Sequence, residues 1–144
     1  MGLVCSCGVL VDAFVERDQV MIEGVMGTVT GSLTYLADVC VDRLDTSTLS
    51  LQFDQTEGGT DNSFTFTATE ITTVVCRREG QNCEVTVEGF GTVNGETFPF
   101  EAVFRDQVEQ AAVDIVQSFE IIGFFDQTGA NTIDQGSIIA LGCE

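Results

Sequence analysis

Val85-Thr86-Val87-Glu88-Gly89-Phe90-Gly91-Thr92-Val93-Asn94-Gly95-Glu96-Thr97-Phe98-Pro99-Phe100-Glu101-Ala102-Val103-Phe104 reads as two strands joined by a two-residue turn. Asn94 and Gly95 both tolerate the positive φ that a type I′ turn demands, and Asn-Gly between alternating apolar residues is the strongest short hairpin signal. The register follows from the turn. If Val93 faces Glu96, then Gly91 faces Phe98, Gly89 faces Phe100, Val87 faces Ala102 and Val85 faces Phe104, all on one side of the sheet. Each glycine near the turn lies opposite a phenylalanine, so the element Glu-Gly-x-Gly-Thr-Val-x-Gly reads as packing and not as a phosphate or catalytic loop.

The same period of two extends outward from the hairpin, and no helical stripe is sustained. Strands are predicted near 9–16, 19–29, 33–43, 47–54, 63–75, 83–93, 97–105, 113–125 and 132–142. Leu33, Tyr35, Ala37, Val39 and Val41 share one face, with Thr34, Asp38, Cys40 and Asp42 on the other. Leu49, Leu51 and Phe53 mark the next core face, followed by Phe64, Phe66 and Ala68. Near Glu70 to Thr72 the alternation breaks, which predicts a bulge. Further on, Val113, Ile115, Phe119, Ile121 and Phe125 line one face and Ile122 and Phe124 the other; Asp106 to Val116 also has room for a turn or two of helix.

Two anchors recur in order. Glu23-Gly24-Val25-Met26-Gly27-Thr28-Val29-Thr30-Gly31 is matched by Glu88 to Gly95, and Phe53-Asp54-Gln55-Thr56 by Phe125-Asp126-Gln127-Thr128. Such recurrence suggests one β-rich unit used twice, about 10–76 and 77–143. Two four-strand units that cannot stand alone would stack face to face. The expected fold is all-β, an antiparallel β-sandwich with a jelly-roll among its variants: a connector arm over 1–8 leads into one β-sandwich domain over 9–144.

The 144 residues suit one domain with a proper core. Five arginines against 23 acids leave a net charge of -18. Such a surface repels phosphate backbones and anionic lipid, so neither nucleic acid nor membrane is an expected partner. Histidine and lysine are absent, which removes imidazole bases, His metal ligands, Schiff bases and the phosphate-binding P-loop; no enzyme activity, catalytic residue, cofactor or resident metal is expected. Calcium or a cationic partner held by acidic loops such as Asp54 to Asn62 and Asp126 to Asp134 remains an alternative, although no EF-hand loop is present.

Six cysteines point to an oxidising setting. Met1 to Leu10 lacks the basic start and long apolar core of a secretory signal, so either a leader is missing or the chain reaches an oxidising surface by another route. Cys76 and Cys83 bracket a turn between two strands, where a disulfide would close the hairpin. Cys5 and Cys7 lie on the arm, Cys40 on an outward strand face and Cys143 beside the chain end. These four either fold back on one another within the chain or lock the arm into a neighbouring subunit, a heterologous contact that propagates head to tail.

The arm Cys5-Ser6-Cys7 before a β domain without histidine chemistry resembles the subunits of bacterial endospore appendages. That resemblance implies a jelly-roll stacked into disulfide-linked pili, and assembly around the spore inside a mother cell, which accounts for cysteines without a signal peptide. Val85 to Leu141, with Gly89 to Gly95 followed by Phe98, Phe100 and Asp106, is similar to the β-repeat at the end of many secreted bacterial surface proteins. The expected function is therefore a structural subunit that polymerises with copies of itself into an extracellular or spore-surface fibre through arm exchange and intermolecular disulfides. The alternatives are a monomeric acidic binding module and a virion structural protein.

Overall fold

Each of the first seven strands pairs with the next along the chain, and the eighth pairs back with the first. In the computed structural model, which describes residues 5–107 and 113–142, β1 (Gly8–Ile22), β2 (Val29–Cys40), β3 (Thr48–Gln55), β4 (Phe64–Glu79), β5 (Asn82–Val93), β6 (Glu96–Asp106) and β7 (Asp114–Ile121) form an antiparallel meander. β8 (Phe125–Asp126) pairs with β7 on one side and with β1 on the other, through Met21↔Asp126 and Ile22↔Phe125. This makes a closed eight-stranded barrel.

The barrel replaces the expected β-sandwich and its jelly-roll variant. Alternation shows that each strand buries one face, and a sandwich and a barrel bury the same one, so period two cannot separate them. Curvature separates them. Register shifts fall between Val15 and Asp18 in β1, at Ala68/Glu70 and Ile71/Thr73 in β4, and at Val103/Phe104 where β6 meets β7. Bulges bend a strand and raise its twist, which lets long strands wrap until the sheet meets itself. The broken alternation near Glu70 to Thr72 marks the β4 pair, and beside it the Thr69 and Thr72 hydroxyls donate to the carbonyls of Phe90 (3.3 Å) and Glu88 (3.2 Å).

The recurring segments do not occupy equivalent places. Glu23 to Thr28 is the β1–β2 turn, where Gly24 and Gly27 have φ of +83° and +78°, whereas Glu88 to Val93 is extended β5. Phe53-Asp54-Gln55 ends β3, but Phe125-Asp126 is β8. The likeness is local, because strand ends and turns draw on the same Gly, Thr and Val. The expected strand over 19–29 also dissolves: β1 runs on through its bulge to Ile22.

The Asn94-Gly95 hairpin has the predicted register throughout, from Val93↔Glu96 to Val85↔Phe104. Its glycines make room for a different neighbour than expected. A Cβ on Gly91 would strike the Phe66 ring of β4, and one on Gly89 would strike the Glu70 carbonyl at the bulge. The barrel interior is filled by side chains, as an eight-stranded barrel allows. Tyr35, Phe66, Phe100 and Phe119 meet in its middle, with Phe66 5.3 Å from Phe100 and 6.2 Å from Phe119. Phe53, Phe64, Phe98, Phe124 and Phe125 fill one end.

The β6–β7 bulge inverts part of the expected β7 face. Phe119, Ile121 and Phe125 are buried as predicted, but upstream it is Asp114 and Val116 that point inward, and Val113 is exposed. Of the helix expected within Asp106 to Val116, residues 108–112 lie outside those described, while Asp106 itself ends β6 and Asp114 begins β7. A 3-10 turn, η1 (Val41–Thr46), replaces the end of the strand expected to reach 43. The strand expected over 132–142 is two pieces, β9 (Asn131–Ile133) on β7 and β10 (Ile138–Leu141) on β1, so β8, β9 and β10 together form one interrupted stave.

Candidate binding face

The cysteines sew the arm onto its own barrel. Cys5 is bonded to Cys40 with Cα atoms 5.8 Å apart, and Cys7 to Cys76 with Cα atoms 5.9 Å apart. The Cys76–Cys83 hairpin staple is thereby corrected: Cys76 takes the arm, and Cys83 is disulfide-bonded elsewhere. Cys143 lies outside the described residues. Ser6 donates from its backbone N–H and its hydroxyl to Asp42 at 2.8 and 2.9 Å, and the Val41 N–H donates to the Cys7 carbonyl at 2.9 Å. Those Ser6 bonds hold the Asp42 carboxyl below its usual range. Cys40, expected on an outward face, is buried at 2% exposure beneath the arm.

Buried polar groups hold the interrupted stave in place. Between β8 and β9, the Tyr35 hydroxyl donates to Gln127 Oε1 (2.7 Å), and Gln127 Nε2 donates to the carbonyls of Val116 (2.9 Å) and Gly129 (2.6 Å). Asn131 Nδ2 donates to the Tyr35 oxygen (3.1 Å) and to Asp18 (3.0 Å). Between β9 and β10, the fully buried Asp114 accepts from the N–H groups of Gln107 (3.0 Å), Gly136 (2.8 Å) and Ile138 (3.0 Å), and Asp106 accepts from Ala140 (2.8 Å). The carboxylates replace ladder partners where the stave leaves β7. Satisfied networks of this kind specify one register. The buried members Gln127 and Asp114 turn inward, so their role is structural.

The outer face of β5, β6 and β7 carries an arrangement that stability does not explain. Glu88 is directly opposite Glu101, Glu101 opposite Glu120, and Glu120 opposite Asp126. Like charges facing one another across strands are destabilising. No arginine pairs with any of the four among the described residues, since the ion pairs there are Arg17–Glu57, Arg43–Asp38, Arg77–Glu79 and Arg105–Glu79. Two residues along the strands, Phe90 faces Pro99, whose carbonyl accepts from the Ile122 N–H at 2.8 Å. Phe90 and Ile122 are 42% and 46% exposed. An acidic row and an apolar row thus lie side by side. The register of the hairpin already places Glu88 opposite Glu101; Glu120 and Asp126 join them only through the β6–β7 bulge and the closing strand.

Metal ligation finds less support. Among the described residues, the three candidate ligand atoms that converge within 4.8 Å belong to Cys5, Cys40 and Asp42, and the two sulfurs there are bonded to each other. In the acidic loop over 54–62, Asp61 accepts from the Ser63 N–H (2.9 Å), and Asp54 accepts from Gln52 (3.0 Å). Asp61 is held low by Ser63.

Acid should strengthen this fold before it destroys it. Burial raises the carboxyl pKa of Glu101, with the Glu88 hydrogen bond and the charges of Glu88 and Glu120 adding to it; burial also raises those of Asp106 and Asp18. Their stabilising contribution is complete below the ordinary values of 4.5 and 3.8, and is lost as pH rises through the folded values. Asp42 and Asp61 work in the opposite sense, being stabilising above 3.8 and losing that as pH falls through their lowered values. Between neutrality and about pH 5 the first group dominates, and relief of general self-repulsion adds to it. The thermal midpoint is expected to rise over that interval at fixed ionic strength, followed by calorimetry; a midpoint that falls would contradict the assignment.

Comparisons with protein-family models, with curated proteins and with solved structures find no match to this chain.

Proposed function

We propose that this chain is a non-catalytic binding module of an oxidising, extracellular compartment, whose acidic barrel surface holds a cationic partner. The observation that carries the reading is the row Glu88–Glu101–Glu120–Asp126, four acids set opposite one another with none of them ion-paired to an arginine among the described residues. A cation laid along the row would offset a repulsion that the isolated barrel has to bear. Its disulfides suit that compartment, where such bonds persist and glutathione does not reduce them. An apolar interior with an acidic exterior is the reverse of a membrane-spanning barrel, which turns its apolar side to lipid.

Self-assembly through arm exchange, the reading first expected, is less well supported. Both arm sulfurs are engaged within the chain, which leaves neither for a bond to a neighbour. With no lysine and four of five arginines already paired, one copy also has little positive charge to offer the next.

The test uses oligolysine as the probe at about 0.15 M salt, where only close charge contacts survive screening. The expected result is a rise of several degrees in the melting midpoint that weakens steeply with added salt, against no rise with calcium chloride. No shift and no calorimetric binding at that ionic strength would reject the reading.

A further inference from the structure

We infer that the cationic partner is a basic amphipathic helix, and that it docks across β5, β6 and β7 with one stripe on the acidic row and the adjacent stripe on Phe90, Pro99 and Ile122. The inference rests on the binding-module reading and adds the place and the shape of the partner. Neighbouring strands lie about 4.8 Å apart, so the four acids from Glu88 to Asp126 run for about 14 Å across the strands. Residues three or four apart on a helix surface are spaced about 5–6 Å, close to that repeat, and two to three turns cover the row. An extended peptide presents same-side residues about 6.7 Å apart and drifts out of step within a few. A single metal ion is a poorer occupant still, because the four acids are spread over four strands and among the described residues no three carboxylates converge.

The apolar row supplies the second requirement. Phe90, Pro99 and Ile122 lie two residues from the acids along their strands, about 6.7 Å away, the separation between neighbouring stripes on a helix about 10–12 Å wide. Met21, 52% exposed and opposite Asp126, extends apolar surface beyond the end of the acidic row. Burying these side chains gives the contact a component that salt does not screen. A second copy of this chain does not meet the requirement, since it has no lysine. Nucleic acid is excluded by sign.

Two synthetic helical peptides of about four turns separate the possibilities. They carry equal numbers of lysines on one stripe and differ in the next, leucine in one and glutamine in the other. At about 0.15 M salt the leucine peptide is expected to bind at least about tenfold more tightly by calorimetry. Phe90→Ser/Ile122→Ser should erase that difference and leave the glutamine peptide unchanged. Glu88→Gln/Glu120→Gln should weaken both peptides about tenfold or more, while Glu16→Gln/Asp45→Asn, an equal change of charge at other exposed sites, should weaken neither by as much. All three variants are expected to fold, which circular dichroism checks, and removal of the opposed glutamates should raise the midpoint. Equal binding of the two peptides, or equal loss in the ladder and remote variants, overturns the helix site and leaves general cation binding standing. If neither peptide binds wild type, the binding-module reading falls as well.

Discussion

Cys7→Ser/Cys76→Ser is expected to lower the unfolding free energy by about 4 kcal/mol, the cost that loop-closure entropy assigns to releasing so long a loop. The two residues are 69 apart in sequence, nearly twice the separation of 35 between Cys5 and Cys40. The bond also acts at a structural weak point. β3 and β4 share only the rungs from Ser50↔Thr67 to Phe53↔Phe64, after which β4 runs on to Glu79 without β3 beside it. The arm spans that divergence from the end of β2 to Cys76. Cys5→Ser/Cys40→Ser should cost somewhat less, and the losses should not add, because the two loops overlap and Ser6 ties both to Asp42. Urea unfolding of the oxidised variants gives the numbers through the shift in midpoint. A loss under about 1 kcal/mol for the Cys7–Cys76 pair would show that the arm adds nothing to the native state. A non-reducing digest should yield the Cys5–Cys40 and Cys7–Cys76 peptides from monomer, and the same cross-links found only in oligomer would restore arm exchange.

What could be read from the residues was whatever depends on neighbours in sequence. The Asn94-Gly95 turn fixes its own register, so five cross-strand pairs followed from two residues and a parity rule. The buried faces of β2, β3 and the start of β4 followed in the same way, through Leu33, Tyr35, Leu51, Phe53 and Phe66. The features that were missed depend on curvature. A bulge is one extra residue, and the one between Val103 and Phe104 on the β7 side was enough to turn Asp114 inward and Val113 outward. Closure is a sum of such bends over the whole sheet, and no single segment carries its signature. The cysteines show the same division. Closeness in sequence pairs Cys76 with Cys83, whereas the fold brings Cys76 to an arm 69 residues away.

The candidate face inherits both kinds of residue. Glu88 opposite Glu101 could be written from the hairpin, yet an isolated pair of glutamates on a chain with 23 acids means little. The arrangement acquires meaning when the barrel extends it through Glu120 to Asp126 and sets Phe90 and Ile122 alongside. Sequence supplied the composition of the surface, and closure supplied its order.

That order depends on a core that holds the strands at fixed spacing, and Phe66→Ala is the substitution expected to damage it most, by about 3–5 kcal/mol. Phe66 is fully buried, in edge-on contact with Phe100 and Phe119, and these rings join β4, β6 and β7 across the interior. The upper part of the range is expected, because collapse into the vacancy is blocked on one side. Gly91 lies against the ring and has no side chain to move into the space. The Phe100 and Phe119 rings, 6.3 Å apart, already support each other and cannot shift far without uncovering Tyr35, which packs 5.9 Å from Phe119. Phe66→Leu keeps most of the volume and should cost well under half as much. Gly91→Ala provides the converse measurement: its Cβ meets both the Phe66 ring and the Thr67 carbonyl, so it should destabilise by about 1–3 kcal/mol, and Phe66→Leu should relieve only the part due to the ring. With the disulfides intact, urea midpoints for the three variants and the double variant test this packing. A Phe66→Ala loss below about 1.5 kcal/mol would mean that the middle of the barrel is looser than these ring contacts imply.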